Sequence, residues 1–459
     1  MSLWQRISAS VGGESVEEGP AQRSMSLSRT AMMWLAANMV VTTLLTGTLF
    51  VPGIAYGQAL VIIVAGTLLG GAVLVLVGNI GTRTGLPTMV LTRGSFGRRG
   101  GYLPALFNLV VLMGWSWVQA ILAGITVNYV VEQATGFSSV VLFSVLCQSL
   151  VVLLALFGHA GISRVEPWLA VIMLMVAAFV FFTAFRDVDP ASYLALAPRP
   201  EVGMTGAIAF DIVLATAVSW TVLSADFNRF AQSQRSGIIG TSLGYTVSTV
   251  VAMSLGATAL ACVALGGGDA ASFDPTVIVE RFGLPLAAVV FLSVMATNTL
   301  VVYGMIMSFL NVRPRSGFLK VAVTIGIVSI LGATWLSVLD RFVTFLFLIS
   351  ALFVPVFAIM LADYYVLRRG HYTVGELIRD RGGSYWFSGG VNPVALVSFA
   401  IGAALAYYWT RVSPLSIGAT IPTFVVTFVS YLALSLAFRR GRSHRTMPDA
   451  SPLLQDSRS

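Results

Sequence analysis

The chain has 459 residues, 57% of them hydrophobic and only 10% charged, where soluble proteins carry about a quarter charged residues. Charges this sparse cannot cover a soluble surface at this length, so the expectation is an all-α protein integral to a membrane, and a disordered chain or a disulfide scaffold is excluded. The net charge is +8, from 27 basic and 19 acidic residues, and their placement decides between a nucleic-acid partner and orientation in a bilayer.

Glu14, Glu17 and Glu18 precede the first apolar stretch, and no signal peptide is expected. A membrane-spanning helix needs roughly 20 mostly apolar residues. Twelve such runs follow in order, near 31–51, 58–80, 103–131, 139–158, 168–185, 207–225, 238–264, 284–310, 319–337, 341–365, 393–410 and 418–438. Cys147 and Cys262 fall inside these runs and read as small core residues. With an even number of spans both termini share a side. That side, with the even-to-odd connections, holds 22 of the 27 basic residues. Only Arg186, Arg199, Arg281, Arg341 and Arg411 fall on the other. The asymmetry predicts cytoplasmic termini in a plasma or inner membrane. It also removes nucleic acid from the expected partners, leaving the lipid bilayer and a small molecule, with no protein partner implied.

The longest cytoplasmic connection, 367–392, is rich in glycine and separates ten runs from a final pair. Ten helices divide into five plus five, and because five is odd the second group is inverted relative to the first. Inverted repeats build many secondary transporters, with the site between them at mid-membrane. The predicted organisation is a tail (1–30), a five-helix repeat (31–186), an inverted five-helix repeat (207–366), a linker (367–392), two added helices (393–438) and a second tail (439–459).

Ionisable groups are nearly absent from the runs. Asp211 and Asp226 flank the sixth and Asp363 ends the tenth, so no mid-membrane carboxylate offers a proton relay. There is no His/Cys metal spacing, phosphate loop or nucleophile elbow, and His159, His371 and His444 sit in loops or the tail. An enzyme is therefore not expected, nor a cofactor. In the third run Asn108, Trp115, Gln119 and Thr126 lie within about 20° of one line on a helix, while Trp117 points elsewhere. An indole and a carboxamide one turn apart suit a flat polar ring, the first stacking on its face and the second bonding its edge. The alternative is a polar stripe joining two helices. The eighth run lines up Ser293, Thr297, Gly304 and Ser308, with Asn298 beside them. Gly304 and Ser308 read as close helix packing. The Thr297 hydroxyl, with loose carbonyls, is how a bare Na⁺ is held without a carboxylate. The sixth run clusters Thr216, Ser219, Trp220, Thr221 and Ser224, enough hydroxyls to satisfy a local unwinding. The first run carries Asn38, Thr42, Thr43 and Thr46 with no Gly or Pro before Gly47, and its composition reveals no break. Pro355 predicts a kink in the tenth run, and Asp363–Arg369 reads as an interfacial anchor.

Four short segments are similar to one family. These are Thr92-Arg93-Gly94-Ser95-Phe96-Gly97, Gly114-Trp115-Ser116-Trp117-Val118-Gln119, Ala225-Asp226-Phe227-Asn228-Arg229-Phe230 and Ala362-Asp363-Tyr364-Tyr365. In this order and spacing the chain resembles the nucleobase–cation symporters that include cytosine permease and hydantoin permease, over roughly residues 30–430. The resemblance implies a five-plus-five inverted-repeat core with two added C-terminal helices, and Na⁺- or H⁺-coupled uptake of a planar nitrogen heterocycle. It implies Trp115 as the stacking aromatic, Gln119 as the ring-edge partner, and Asn298 near the substrate. Ser219 matches a substrate-proximal serine. The implied cation site uses backbone oxygens of Asn38, Val41 and Ser293, with Ala296 and the Thr297 hydroxyl. Two positions depart from the pattern. Ala296 lacks the hydroxyl that relatives with a sodium site often carry, and Ala217 stands where the family has a second stacking aromatic. Trp220, one turn on and about 60° around, is the candidate to replace it. A cation-coupled carrier of another solute, such as a hydantoin, allantoin, a thiamine-type pyrimidine or an amino acid, is the alternative.

Overall fold

A computed structural model of the chain describes residues 20–156, 162–268, 272–282, 284–313, 316–379 and 381–445. The first nineteen residues of the expected N-terminal tail, His159, Arg164's side chain and residues 446–459 of the expected C-terminal tail lie outside the described residues. Among the described residues the apolar runs are helical, because a helix satisfies every backbone group within itself.

In order the principal helices are α1 (Leu27–Asn38), α2 (Val41–Thr48), α3 (Tyr56–Thr84), α4 (Tyr102–Thr135), α5 (Val140–Leu156), α6 (Ile162–Asp187), α7 (Gly206–Thr221), α8 (Ser224–Asn228), α9 (Gln234–Leu265), α10 (Leu284–Val312), α11 (Phe318–Gly332), α12 (Phe342–Leu361), α13 (Pro393–Tyr407) and α14 (Thr420–Arg445). Among the described residues seven helices are long and apolar enough to cross a membrane. The pair α1 and α2 passes the same test together, bent by 57° at its break, and four shorter helices are apolar.

The first run is thus two helices, where composition gave no sign of a break. The break falls at Met39 and Val40, with Val40 extended at φ −125° and ψ 156°. Neither residue is Gly or Pro, so the cause is tertiary. The buried Asn38 carboxamide donates to Ser248 Oγ (3.0 Å) and Thr249 Oγ1 (2.6 Å) on α9 and accepts from Thr43 Oγ1 (3.1 Å) on α2. One side chain therefore ties both halves of the break to α9. Beyond it, Gly47 and Gly256 let α2 and α9 touch backbone to backbone: a Cβ at Gly47 would collide with the Met253 carbonyl, and one at Gly256 with the Leu44 carbonyl.

The sixth run also divides, as its hydroxyls suggested. Between α7 and α8, Thr221 Oγ1 donates to the Ala217 carbonyl (2.7 Å) and Ser224 Oγ to the Thr221 carbonyl (2.9 Å). Pro355 lies inside α12, which stays helical to Leu361 and then widens into a π-helical segment, Ala362–Leu367.

The helices sort into two packing groups. In one, α1 and α2 lie on α9, and α3 lies on α7, α8 and α9. Asn228 joins this group: its Oδ1 accepts from Trp34 Nε1 (2.8 Å) on α1 and Thr241 Oγ1 (2.9 Å) on α9, and its carbonyl accepts from Thr82 Oγ1 (2.9 Å) on α3. In the other, α4 packs on α10, and both contact α5 and α11. Helix α12 contacts α7 and α4 and carries α13 and α14. Two buried carboxylates fix that last pair. Asp211 of α7 caps α14, accepting from the Ala419 and Thr420 N–H groups at 2.6 and 3.0 Å. Near the middle of α14, Asp363 accepts from Tyr431 at 2.9 Å, and it also accepts from Tyr372 of the linker at 2.8 Å. Neither aspartate is free for chemistry, and the segment around Asp363 acts as an anchor.

Candidate functional site

Trp115, at the middle of α4, stands where the two packing groups meet. Its indole N–H donates to Ser219 Oγ on α7 at 2.6 Å. This bond crosses between groups, and it fixes the indole in rotation. Two rings of α12 close around the same indole edge-on: Phe342 at 5.7 Å and Phe345 at 5.6 Å between centroids, each at 73°. Gly114 makes room for this, since a Cβ there would lie 2.5 Å from the Phe345 ring. Phe342 in turn stacks on Phe273 (3.8 Å, 24°), whose N–H donates to Thr48 Oγ1 at 2.8 Å on α2. The three phenylalanines were not readable as site residues: Phe342 and Phe345 stand in an apolar run, where an aromatic carries no signal distinguishing a site wall from a lipid-facing side chain, and Phe273 stands in a connection outside the runs. The glycine directly before Trp115 is the only local hint.

Gln119, one turn from Trp115, is 3% exposed, and its carboxamide has no hydrogen-bond partner among the described residues. A ligand edge that both donates and accepts would match it. The rest of the α4 stripe is structural: Asn108 Nδ2 donates to Ser308 Oγ of α10 (2.9 Å), and Thr126 Oγ1 to the Leu122 carbonyl (2.8 Å). Trp117 faces away as expected, against Gly332 and edge-on to Trp335 at 6.1 Å.

On α7, Ser219 is buried and Ala217 is fully buried. A Cβ at Gly70 of α3 would come within 2.5 Å of the Ala217 Cβ. The α3–α7 contact thus seals position 217, and no aromatic fits there. Trp220 is half-buried in a separate aromatic cluster, edge-on to Trp34 at 6.4 Å, where Phe227 and Tyr245 also pack.

Asn298 is fully buried on α10. Its Nδ2 donates to the Ser116 carbonyl (3.2 Å) and to Gln148 Oε1 of α5 (2.8 Å), while Gln148 Nε2 donates to Ser116 Oγ (3.0 Å). A backbone carbonyl only accepts, so this network fixes which way both amides point. Asn298 Oδ1 is left as a buried acceptor with no partner among the described residues.

The proposed cation ligands divide between the α1–α2 break and α10, and α2 packs on α10. Carbonyls at a helix break lose their partners in the ladder. Val41 and Ser293 are buried and Ala296 half-buried. Thr297 Oγ1 spends its proton on the Ser293 carbonyl at 3.0 Å, which leaves its lone pairs for a cation. The donor set consists of neutral oxygens, which suits a monovalent hard cation better than a divalent one. Among the described residues no group of His, Cys, Asp and Glu could hold a metal ion.

The matching family model, described as permease for cytosine/purines, uracil, thiamine, allantoin, covers residues 16–433. The cytosine permease of Escherichia coli is 26% identical over 374 residues, spanning 81% of this chain and 83% of that protein. A purine-uracil permease of Arabidopsis thaliana is 25% identical over 95% of this chain and 79% of its own length. Among solved structures, Mhp1, a nucleobase-cation-symport-1 family transporter in a closed conformation with bromovinylhydantoin bound, shares the fold. Its TM-score is 0.75 at 19% identity, covering 96% of this chain and 98% of that one.

Proposed function

Because the chain belongs to the family of permeases for cytosine/purines, uracil, thiamine and allantoin, we propose that it is a secondary transporter that imports a planar nitrogen heterocycle of nucleobase type together with a cation. Family membership makes it a permease rather than an enzyme. The observation that carries the reading is the Trp115 indole, held flat by Ser219, with the unengaged Gln119 carboxamide one turn away. A stacking face and an edge with both a donor and an acceptor are what a nucleobase requires.

In this reading the substrate lies between α4, α7 and α10, on Trp115, with Gln119, Ser219 and the Asn298 oxygen at its edge. Trp220 serves as second wall after a rotamer change. The cation sits between Asn38, Val41, Ser293, Ala296 and Thr297, and Na⁺ fits that neutral oxygen set better than H⁺, which would want a titratable group. Binding of the cation at the helix break favours the arrangement competent for substrate, so uptake follows the cation gradient.

The proposed layout is twelve spans, formed by two inverted repeats of five and a final pair. Two features of the packing support it. The broken runs are the first and the sixth, which an inverted repeat makes equivalent. The pairing of α1–α2 with α9 and of α7–α8 with α3 is what a two-fold operation would exchange. The 22-to-5 split of basic residues supports a plasma-membrane protein with cytoplasmic termini.

The sealed position at Ala217 favours a pocket different in width from one with two fixed aromatics, so hydantoins, allantoin, thiamine-type pyrimidines and amino acids belong in the same screen. In a thermal-shift assay of the purified protein, a nucleobase-like ring raises the melting temperature, and more so in Na⁺ than in K⁺. Stabilisation by amino acids alone would overturn the substrate class, and an equal shift in both salts would overturn the Na⁺ site.

A further inference from the structure

The site above leaves unused a cavity of about 540 Å³ at the end of the bundle that carries the N-terminal strap and the linker. Pockets for small organic ligands run from about 300 to 1,000 Å³. Its wall is assembled from segments far apart in sequence. Arg23 comes from the strap before α1, Arg83 from the end of α3, and Tyr364, His371, Tyr372 and Thr373 from the segment after α12. Among the described residues no carboxylate lines it. Asp363, which bonds the lining Tyr372, is committed: it accepts from Tyr372 and Tyr431 and lies 3.6 Å from Arg368. Burial, with Asp363 beside it, pushes the Tyr372 phenol well above its ordinary value, so it keeps its proton and stays a donor to that carboxylate.

The two arginines are held rather than loose. Arg83 Nη1 donates to the Gly370 carbonyl at 2.9 Å and to Tyr364 at 3.4 Å, and Arg23 Nη2 donates to the Arg83 carbonyl at 3.2 Å. Each guanidinium has five donors, so most remain for a ligand. A general excess of cytoplasmic arginine explains their presence on this side. It does not explain their convergence, with an imidazole, on a concave surface floored by the buried rings of Tyr364 and Tyr372.

We propose that this cavity binds a phosphate-bearing anion through Arg23 and Arg83, with the volume and aromatic floor suiting a nucleoside monophosphate. Planar guanidinium forks match phosphate geometry and bond it in pairs. A soluble nucleotide and an anionic lipid headgroup present the same phosphate chemistry, and the test separates them. Placing the cavity in the cytoplasm rests on the topology proposed above. Anion binding does not, so failure of the heterocycle screen and failure of this test are separate results.

The experiment measures binding of cytidine monophosphate and of inorganic phosphate to the purified full chain in detergent. In parallel, it measures melting in nanodiscs of phosphatidylglycerol against phosphatidylcholine. Arg23→Gln and His371→Gln are the variants, since neither side chain belongs to the proposed heterocycle site, and unchanged heterocycle binding reports that they fold. Cytidine monophosphate should bind, weaken with salt, and lose affinity at least about tenfold in Arg23→Gln, the range of one charge-assisted contact. Stabilisation by phosphatidylglycerol alone, lost in Arg23→Gln, would assign the same phosphate site to a headgroup. No effect of any of these anions, or effects equal in the wild type and both variants, would overturn the proposal.

Discussion

Trp115 and Gln119 were legible because helical periodicity alone places them on one line, and the structure then gives them different duties. Trp115 is immobilised by Ser219, Phe342 and Phe345, whereas Gln119 is buried without a partner. Their losses should therefore differ in kind. Trp115→Ala removes the stacking face and should abolish saturable uptake. Trp115→Phe keeps a ring but leaves Ser219 without its donor, a net loss of about 1 kcal/mol, or roughly fivefold in affinity. Gln119→Ala should weaken substrate binding by about 10- to 100-fold, the cost of two edge bonds, with little change in melting temperature. Titration of labelled substrate into the three variants checks the order, and an unchanged affinity in Gln119→Ala would remove it from the site. Asn298 was equally visible in sequence, yet its commitment to Ser116 and Gln148 depends on partners far away in the chain, on α4 and α5. No local pattern announces such a bond.

At the level of helices, the two breaks were unequally legible. The α7–α8 break announces itself, because Thr221 and Ser224, whose hydroxyls bond carbonyls beside it, are legible as a cluster in the sequence. The α1–α2 break does not, because the forces that make it lie on α9. The Asn38 carboxamide reaches Ser248 and Thr249, and Gly256 admits the Leu44 carbonyl. A side chain at Gly256 should push α2 off α9 and distort the carbonyls of the proposed cation site. Gly256→Val is expected to cost about 1 to 3 kcal/mol, as overpacking does, and to remove any Na⁺-dependent part of ligand stabilisation. Melting curves with and without Na⁺ read both effects, and a variant with wild-type Na⁺ dependence would separate the break from the cation site.

Over the whole molecule, the membrane class and the helix-rich fold followed from composition and run length, and the glycine-rich linker is what set the final pair of helices apart in the sequence. What could not be read was how that pair is attached. Asp211 and Asp363 sit at run ends and looked like interfacial charges. In the structure each is a buried acceptor that clamps α14, Asp211 at its N-terminus and Asp363 at mid-helix through Tyr431. The grouping of α1, α2, α3, α7, α8 and α9 against α4, α5, α10 and α11 places Trp115 and Ser219 on opposite sides of the seam. A substrate bound there contacts both groups, and so it can be exposed to one side or the other as they shift. The most direct measurement is uptake of a labelled nucleobase into proteoliposomes under an imposed Na⁺ gradient. The wild type should accumulate it above equilibrium, and the Trp115→Ala, Gln119→Ala double variant should not. Equal accumulation by both proteins, or equilibration without concentration under every cation gradient, would contradict the account.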